Sequence, residues 1–244
     1  MQKISIIRII GCALLMLFSI KQSYSQQSAQ SIANLVNEIL KYTGSIYGSD
    51  DRLITGKYYV PTHPLALGHP YLISRDWLPA TLYIKGVIFN DVEVKYNIED
   101  DLIILKRQYE QGLVDELLLN NSYIDSVRIS GHLFINTSLV DEKISPGYFE
   151  QIYNGGFVAY LKHKNSYKDE LSPQMMYGKY MEPKTTLYLF DDNQLLEIAS
   201  KKELMTHFSP NEKMISRFMK QNKIRFRKAI DEQFIKLLNY CDEL

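Results

Sequence analysis

Three of the five histidines are the first candidates for chemistry, because imidazole transfers protons and binds metal ions near neutral pH. His63 and His69 lie six residues apart in a proline-rich stretch, Gly56 to Pro79. On a strand that spacing would place both on one face but about 20 Å apart. No carboxylate or cysteine flanks them at a recurring metal-ligand spacing. His132 follows a glycine in a strand-like pattern. A hydrolase that uses these histidines with nearby carboxylates is therefore only an alternative.

Asp100 and Asp101 form a carboxylate pair that could do acid–base chemistry. They lie between two apolar runs, where a tight turn normally places solvated aspartates. The chain has no G-x-S-x-G, H-E-x-x-H, phosphate-loop, G-x-G-x-x-G or C-x-x-C motif. We therefore expect a non-catalytic protein with no catalytic residue, no metal ligand and no cofactor.

The strongest charge anomaly is a basic stretch near the C-terminus, which contains seven basic residues and no acidic one. Its members are Lys213, Arg217, Lys220, Lys223, Arg225, Arg227 and Lys228, and we call them the cationic surface. Such a surface could bind anionic lipid headgroups, lipopolysaccharide or a polyanionic partner. The alternative is a solvated helix–turn–helix surface whose charges pair with acids elsewhere, with Ile224 and Phe226 pointing inward.

The N-terminus has the pattern of a secretory signal peptide. Lys3 and Arg8 precede twelve apolar residues, Ile9 to Ile20, and Ser23-Tyr24-Ser25 provides small residues for cleavage after Ser25. Twelve residues span about 18 Å as a helix, too short for a hydrocarbon core of roughly 30 Å. We therefore expect export to the periplasm or outer membrane, with no transmembrane helix after cleavage. An alternative is a lipoprotein anchored through Cys12, which follows Ile9-Ile10-Gly11 as in a lipobox.

The length and composition of the mature chain limit its number of domains, its partners and its disulfides. Residues 26–244 are enough for one domain with a sizeable core. Loss of Lys3, Arg8 and Lys21 from 28 basic residues leaves 25 against 28 acidic ones, which argues against nucleic acid as a partner. Only Cys241 remains after cleavage, so no internal disulfide can form.

The sequence patterns predict a helix over 26–43, mainly β-structure over 53–199 and helices over 200–244. In the β-rich part, Val92, Val94 and Tyr96 alternate with polar residues, as in a half-buried strand. Further strands are expected at Ser126 to Ile135, Gly156 to Lys164 and Thr185 to Phe190. Gly56 to Pro79 is expected to be a stiff crossing, with one short strand at Tyr71 to Ser74 and Trp77 as its structural anchor.

The helical part contains three short amphipathic helices. Ser200 and Glu203 form a capping-box pattern before the first. Apolar residues that include Met214 and Ile230 are expected to face the core from the second and third helices. We therefore predict a single α+β domain, in which a curved antiparallel meander of six to nine strands is covered by an N-terminal helix and a C-terminal helical segment.

Four stretches carry a resemblance to a set of uncharacterised secreted proteins of Bacteroidota. They are "GKYYVPTHPLALGHPYL", "VIFNDVEVKYNIEDDLIIL", "GYFEQIYNGGFVAYLKHK" and "KKELMTHFSPNEKMISRFMKQNKIRFRKAIDEQFIKLLNY". The resemblance implies the periplasm or outer membrane and no known reaction. We expect an accessory or binding component of the cell envelope whose partner is an unknown envelope protein or lipid. The alternatives are an apolar-ligand or lipid carrier and the hydrolase.

Overall fold

The computed structural model describes residues 30–31, 34–42, 54–108, 113–169 and 176–244. The expected signal peptide, residues 1–25, and its alternative lipidation site Cys12 lie outside these ranges.

The described residues form thirteen strands and five helices. The strands are β1 (Ile54–Tyr58), β2 (Leu78–Ile84), β3 (Val87–Asn97), β4 (Leu102–Gln108), β5 (Val114–Leu119), β6 (Ile124–Ile129), β7 (His132–Asn136), β8 (Tyr148–Asn154), β9 (Val158–Lys164), β10 (Tyr167–Lys168), β11 (Lys179–Tyr180), β12 (Lys184–Asp191) and β13 (Gln194–Ile198). The helices are α1 (residues 34–42), α2 (Thr137–Val140), α3 (Lys201–His207), α4 (Glu212–Gln221) and α5 (Asp231–Asp242).

Eleven of the strands form one curved, open sheet, in the order β1-β5-β4-β3-β2-β6-β7-β8-β9-β12-β13, and every neighbouring pair is antiparallel. The two short strands β10 and β11 pair with each other. The α+β class with an antiparallel, curved sheet is confirmed. The expected six to nine strands were fewer than the eleven found, because β1 and β5 lack an alternating apolar pattern.

Two-residue turns join several of the strands. Ser130 and Gly131 both have positive φ, which gives a turn whose twist matches a hairpin. This turn divides the strand expected at Ser126 to Ile135 into β6 and β7. Asp192 and Asn193 have the same backbone geometry between β12 and β13, at the predicted hairpin tip.

One face of the sheet carries two apolar clusters. The first joins strands β2 to β8 with Val36 and Ile39 of α1, and the second joins β9, β12 and β13 with helices α3 to α5. Register places both on the same face, since Phe134 pairs with Glu150, which pairs with Leu161. The N-terminal helix and the C-terminal helical segment therefore cover different halves of one face.

The proline-rich stretch lies between β1 and β2, and its ends belong to those strands. The strand expected at Tyr71 to Ser74 is wrong: only one bridge forms there, between Tyr71 and Asn97. Leu67 makes a second bridge, to Lys179 of β11. Prolines supply no amide hydrogen, so a continuous ladder could not form along this stretch.

The first C-terminal helix begins where the sequence indicates, but the second and third start later than expected and bury fewer of the predicted residues. Ser200 and Glu203 form the predicted capping box at the start of α3. Met214 and Ile230, which were expected to face the core, are 49% and 60% exposed. Met214 lies at the border of the buried stripe of α4, and Ile230 precedes the first residue of α5. Neither position therefore projects toward the sheet.

Candidate functional site

Glu150 lies at the junction of the two apolar clusters and binds two histidines. Its side chain is only 5% exposed, and its two oxygens lie 2.5 Å from Nδ1 of His132 and 2.6 Å from Nε2 of His163. The three residues come from adjacent strands β8, β7 and β9. An ionised carboxylate only accepts hydrogen bonds, so the facing nitrogen of each histidine carries the hydrogen.

Two further side chains complete this cluster. Nδ1 of His163 lies 3.2 Å from the hydroxyl of Thr185 on β12, so both ring nitrogens of His163 have partners. Asp231, the first residue of α5, approaches from the helical layer. Potential ligand atoms of His132, Glu150 and Asp231 all lie within 4.8 Å of one another. We call these five residues the polar junction.

The pKa values of the two carboxylates of the polar junction are shifted in opposite directions. Burial would raise the pKa of Glu150, but hydrogen bonds from His163 and His132 outweigh burial and lower it. Burial, followed by repulsion from Glu150, raises the pKa of Asp231. Opposite shifts in neighbouring carboxylates are typical of functional sites, although structural networks also show them.

Of the polar junction, only His132 was a candidate from the sequence. Glu150, His163 and Asp231 were missed because no local spacing connects them. One signal was present: Ala159, Leu161 and His163 alternate on β9, so His163 occupies a position of the apolar face. A histidine at such a position needs a polar partner.

The two histidines of the proline-rich stretch lie away from this cluster. The ring of His63 stacks on Tyr167 with centroids 3.5 Å apart, beside a surface depression of about 330 Å³. His69 accepts a hydrogen bond at Nδ1 from the amide of Tyr71. Within the described part of the chain, neither histidine joins a set of three metal-ligand residues.

Asp100 and Asp101 have separate partners and do not act as a pair. Asp100 accepts from the side-chain amide of Asn97. Asp101 accepts from the hydroxyl of Tyr96 at 2.5 Å and forms an ion pair with Lys162. The turn expected from the sequence is present between β3 and β4, but Asp101 connects it to β9 instead of facing only solvent.

All seven residues of the cationic surface are exposed. Three lie on α4 and four lie between α4 and α5. None forms a salt bridge with another residue in the described ranges. Ile224 is buried and Phe226 is half-buried between these exposed bases. The alternative in which the charges pair with acids elsewhere has no support in the described part of the chain.

Trp77 is half-buried immediately before β2. The ammonium of Lys95 lies 4.2 Å from the centre of its ring, which is a cation–π contact. The contact joins the end of the proline-rich stretch to β3. Whether Trp77 anchors this stretch stays a prediction.

Comparison with known proteins gives no match to a protein-family model, a curated protein or a solved structure. Among the helices within the described ranges, none has the length and apolar character to cross a membrane.

Proposed function

We propose that this chain is an exported, non-catalytic component of the cell envelope that binds an anionic lipid surface in the periplasm or at the outer membrane. The observation that carries the proposal is the cationic surface, whose seven side chains are all exposed and lack acidic partners in the described residues. Export rests on the signal-peptide pattern of residues 1–25.

Two exposed apolar residues favour a lipid surface over a purely polar polyanion. Met214 lies between Lys213 and Arg217, and Ile230 follows Lys228 by two residues. Each base near an anionic membrane contributes about 1 kcal/mol. Burial of one such apolar side chain adds about 1.5–3 kcal/mol. If only part of the set engages at once, the sum still approaches the roughly 8 kcal/mol of a micromolar complex.

The test is binding to phosphatidylglycerol-containing vesicles, compared with phosphatidylcholine vesicles, at low and high salt. A variant with Arg225→Gln, Arg227→Gln and Lys228→Gln loses three charges. At about 1 kcal/mol each, it should bind the anionic vesicles about a hundredfold more weakly. Higher salt should weaken wild-type binding, because it screens exposed charges.

The matched control changes three exposed lysines outside the cationic surface, Lys85→Gln, Lys143→Gln and Lys184→Gln. It removes the same net charge from a different surface, so it should keep most of the binding. Equal binding by the first variant and wild type, or equal losses in both variants, would refute the proposal. Binding to RNA or heparin without binding to vesicles would also refute it.

The two alternative functions, a ligand carrier and a hydrolase, have different support in the structure. A carrier needs an interior, but the sheet face under the helices is filled by the two apolar clusters. The hydrolase keeps one supporting observation, the 2.5 Å contact between His132 and Glu150. His63 and His69 have no carboxylate ion pair in the described residues.

A further inference from the structure

We propose that His132, Glu150 and Asp231 bind one divalent transition-metal ion. This proposal does not depend on the proposed binding of anionic lipid. Its ligand is a small cation instead of an anionic surface. It rests on the geometry of the polar junction, in which one imidazole and two carboxylates converge from β7, β8 and α5.

The distances fit one ion after small side-chain movements. Nitrogen and carboxylate ligands lie about 2.0–2.2 Å from zinc, so two ligand atoms of one ion are about 3.3 Å apart in a tetrahedral site. The three groups already lie within 4.8 Å of one another. The contact between His132 and Glu150, now 2.5 Å, would lengthen by about 1 Å as the ion replaces their shared hydrogen.

Asp231 is the reason to infer a cation and not only a histidine–glutamate network. It is half-buried, and among the described residues it forms no side-chain salt bridge, although His163 and His132 attract it electrostatically. Its carboxylate lies within 4.8 Å of potential ligand atoms of both Glu150 and His132, so a second acid and an imidazole face the same point. A helix N-terminus favours an aspartate in the first turn. That preference does not account for its placement beside a second, buried carboxylate, whereas a dication would neutralise both.

His163 is a positioning residue for this site. It binds the second oxygen of Glu150 through Nε2, and Thr185 fixes the other side of its ring. Groups that hold metal ligands in this way typically change metal affinity 10–100-fold when they are removed. His132 is 43% exposed, so an ion can enter from solvent. Three protein ligands also leave a coordination position for water.

The first experiment titrates untagged protein with Zn²⁺ by isothermal calorimetry and records Co²⁺ absorption as an independent readout of the ligand set. We expect one equivalent of each metal to bind. Asp231→Asn and His132→Gln should each weaken binding at least tenfold, since each removes a ligand. His163→Gln should weaken it 10–100-fold while one Co²⁺ still binds. Binding should also weaken at low pH, where protons compete for the histidine.

Two control variants separate this site from adventitious binding. Glu232→Gln removes a neighbouring exposed acid of α5, and His207→Gln removes a histidine that pairs with Asp191 outside the site. Both should bind Zn²⁺ as wild type does. Circular dichroism confirms that each variant is folded before titration. Absence of binding by the wild-type protein, or binding that survives both Asp231→Asn and His132→Gln, would overturn the proposal.

Discussion

Glu150→Gln is the substitution that tests most directly how the polar junction contributes to stability. Glutamine keeps the shape of the side chain but removes its negative charge. A hydrogen bond to a charged group contributes about 1.5–3 kcal/mol and a neutral one about 0.5–1.5 kcal/mol, so the buried contact with His163 loses about 1 kcal/mol or more. The contact with His132 is 43% exposed on the histidine side and adds about 0–1 kcal/mol. We expect the free energy of unfolding to fall by about 2 kcal/mol.

For a chain of this length, that loss corresponds to a fall in Tm of roughly 4–8 °C. The measurement is urea unfolding followed by circular dichroism, with a chelator present so that no metal contributes. The effect should depend on pH. Because the pKa of Glu150 is lowered in the folded state, its stabilisation is present above its unfolded pKa and is lost as pH falls through the folded value.

The difference between wild type and Glu150→Gln should therefore be largest near pH 6 and shrink below about pH 4. Asp191→Asn is the control. It removes a carboxylate that pairs with His207 but is 34% exposed, so the free energy of unfolding should fall by less than about 1 kcal/mol. A loss below about 0.5 kcal/mol at pH 6, or a loss that grows on acidification, would refute the assignment of Glu150 as an ionised acceptor.

Two further predictions concern other parts of the chain. Asp101→Asn should lower the free energy of unfolding, measured in urea, by about 1–3 kcal/mol. Asparagine tolerates the φ of 61°, but it weakens the contacts with Tyr96 and Lys162. An unchanged value would show that Asp101 behaves as an ordinary solvated turn residue. Burial raises the pKa of Cys241 to about 12, so iodoacetamide at pH 8 should label it only after unfolding. Mass spectrometry of the peptide that contains Cys241 measures the labelling, and rapid reaction of the folded protein would contradict its burial.

The fold class was predictable because long strands carry their own pattern. The alternation of Val92, Val94 and Tyr96 matches a strand with one buried face, and all three are buried. β5 was missed because Leu117 to Leu119 is a continuous apolar run after two acidic residues. β10 and β11 have only two residues each and exist through their pairing with one another. No local pattern could therefore have predicted them.

Exposure in the helical part was harder to predict than helix position. A periodic pattern locates a stripe on α4, but it does not fix where the stripe ends. Met214 falls beyond that edge, while Ile215 and Met219 are buried. Ile230 precedes α5 and has extended backbone geometry, so helical periodicity does not apply to it. Both errors placed apolar side chains in the core that lie beside the cationic surface.

The polar junction could not be predicted from the sequence, for a different reason. His132 and Glu150 are 18 residues apart, and Glu150 and His163 are 13 apart. Only the register of β7, β8 and β9 converts those separations into contacts of 2.5 and 2.6 Å. Asp231 arrives from a helix whose position depends on packing of the second apolar cluster. A site assembled from three strands and a helix leaves no spacing to recognise.

The opposite pKa shifts of Glu150 and Asp231 have opposite consequences for stability. The folded-state pKa of Glu150 is lowered, so its ionisation adds stability above the pKa of an unfolded glutamate. The folded-state pKa of Asp231 is raised, so its ionisation costs stability as pH rises through the pKa of an unfolded aspartate. Burial and repulsion from Glu150 thus outweigh the attraction that His163 and His132 exert on Asp231. The apolar face of α5 is held by Phe234, Leu237 and Leu238, and its N-terminus favours an acid in the first turn. A bound dication would attract both carboxylates and remove the repulsion between them, which makes the placement of Asp231 favourable without any change in the fold.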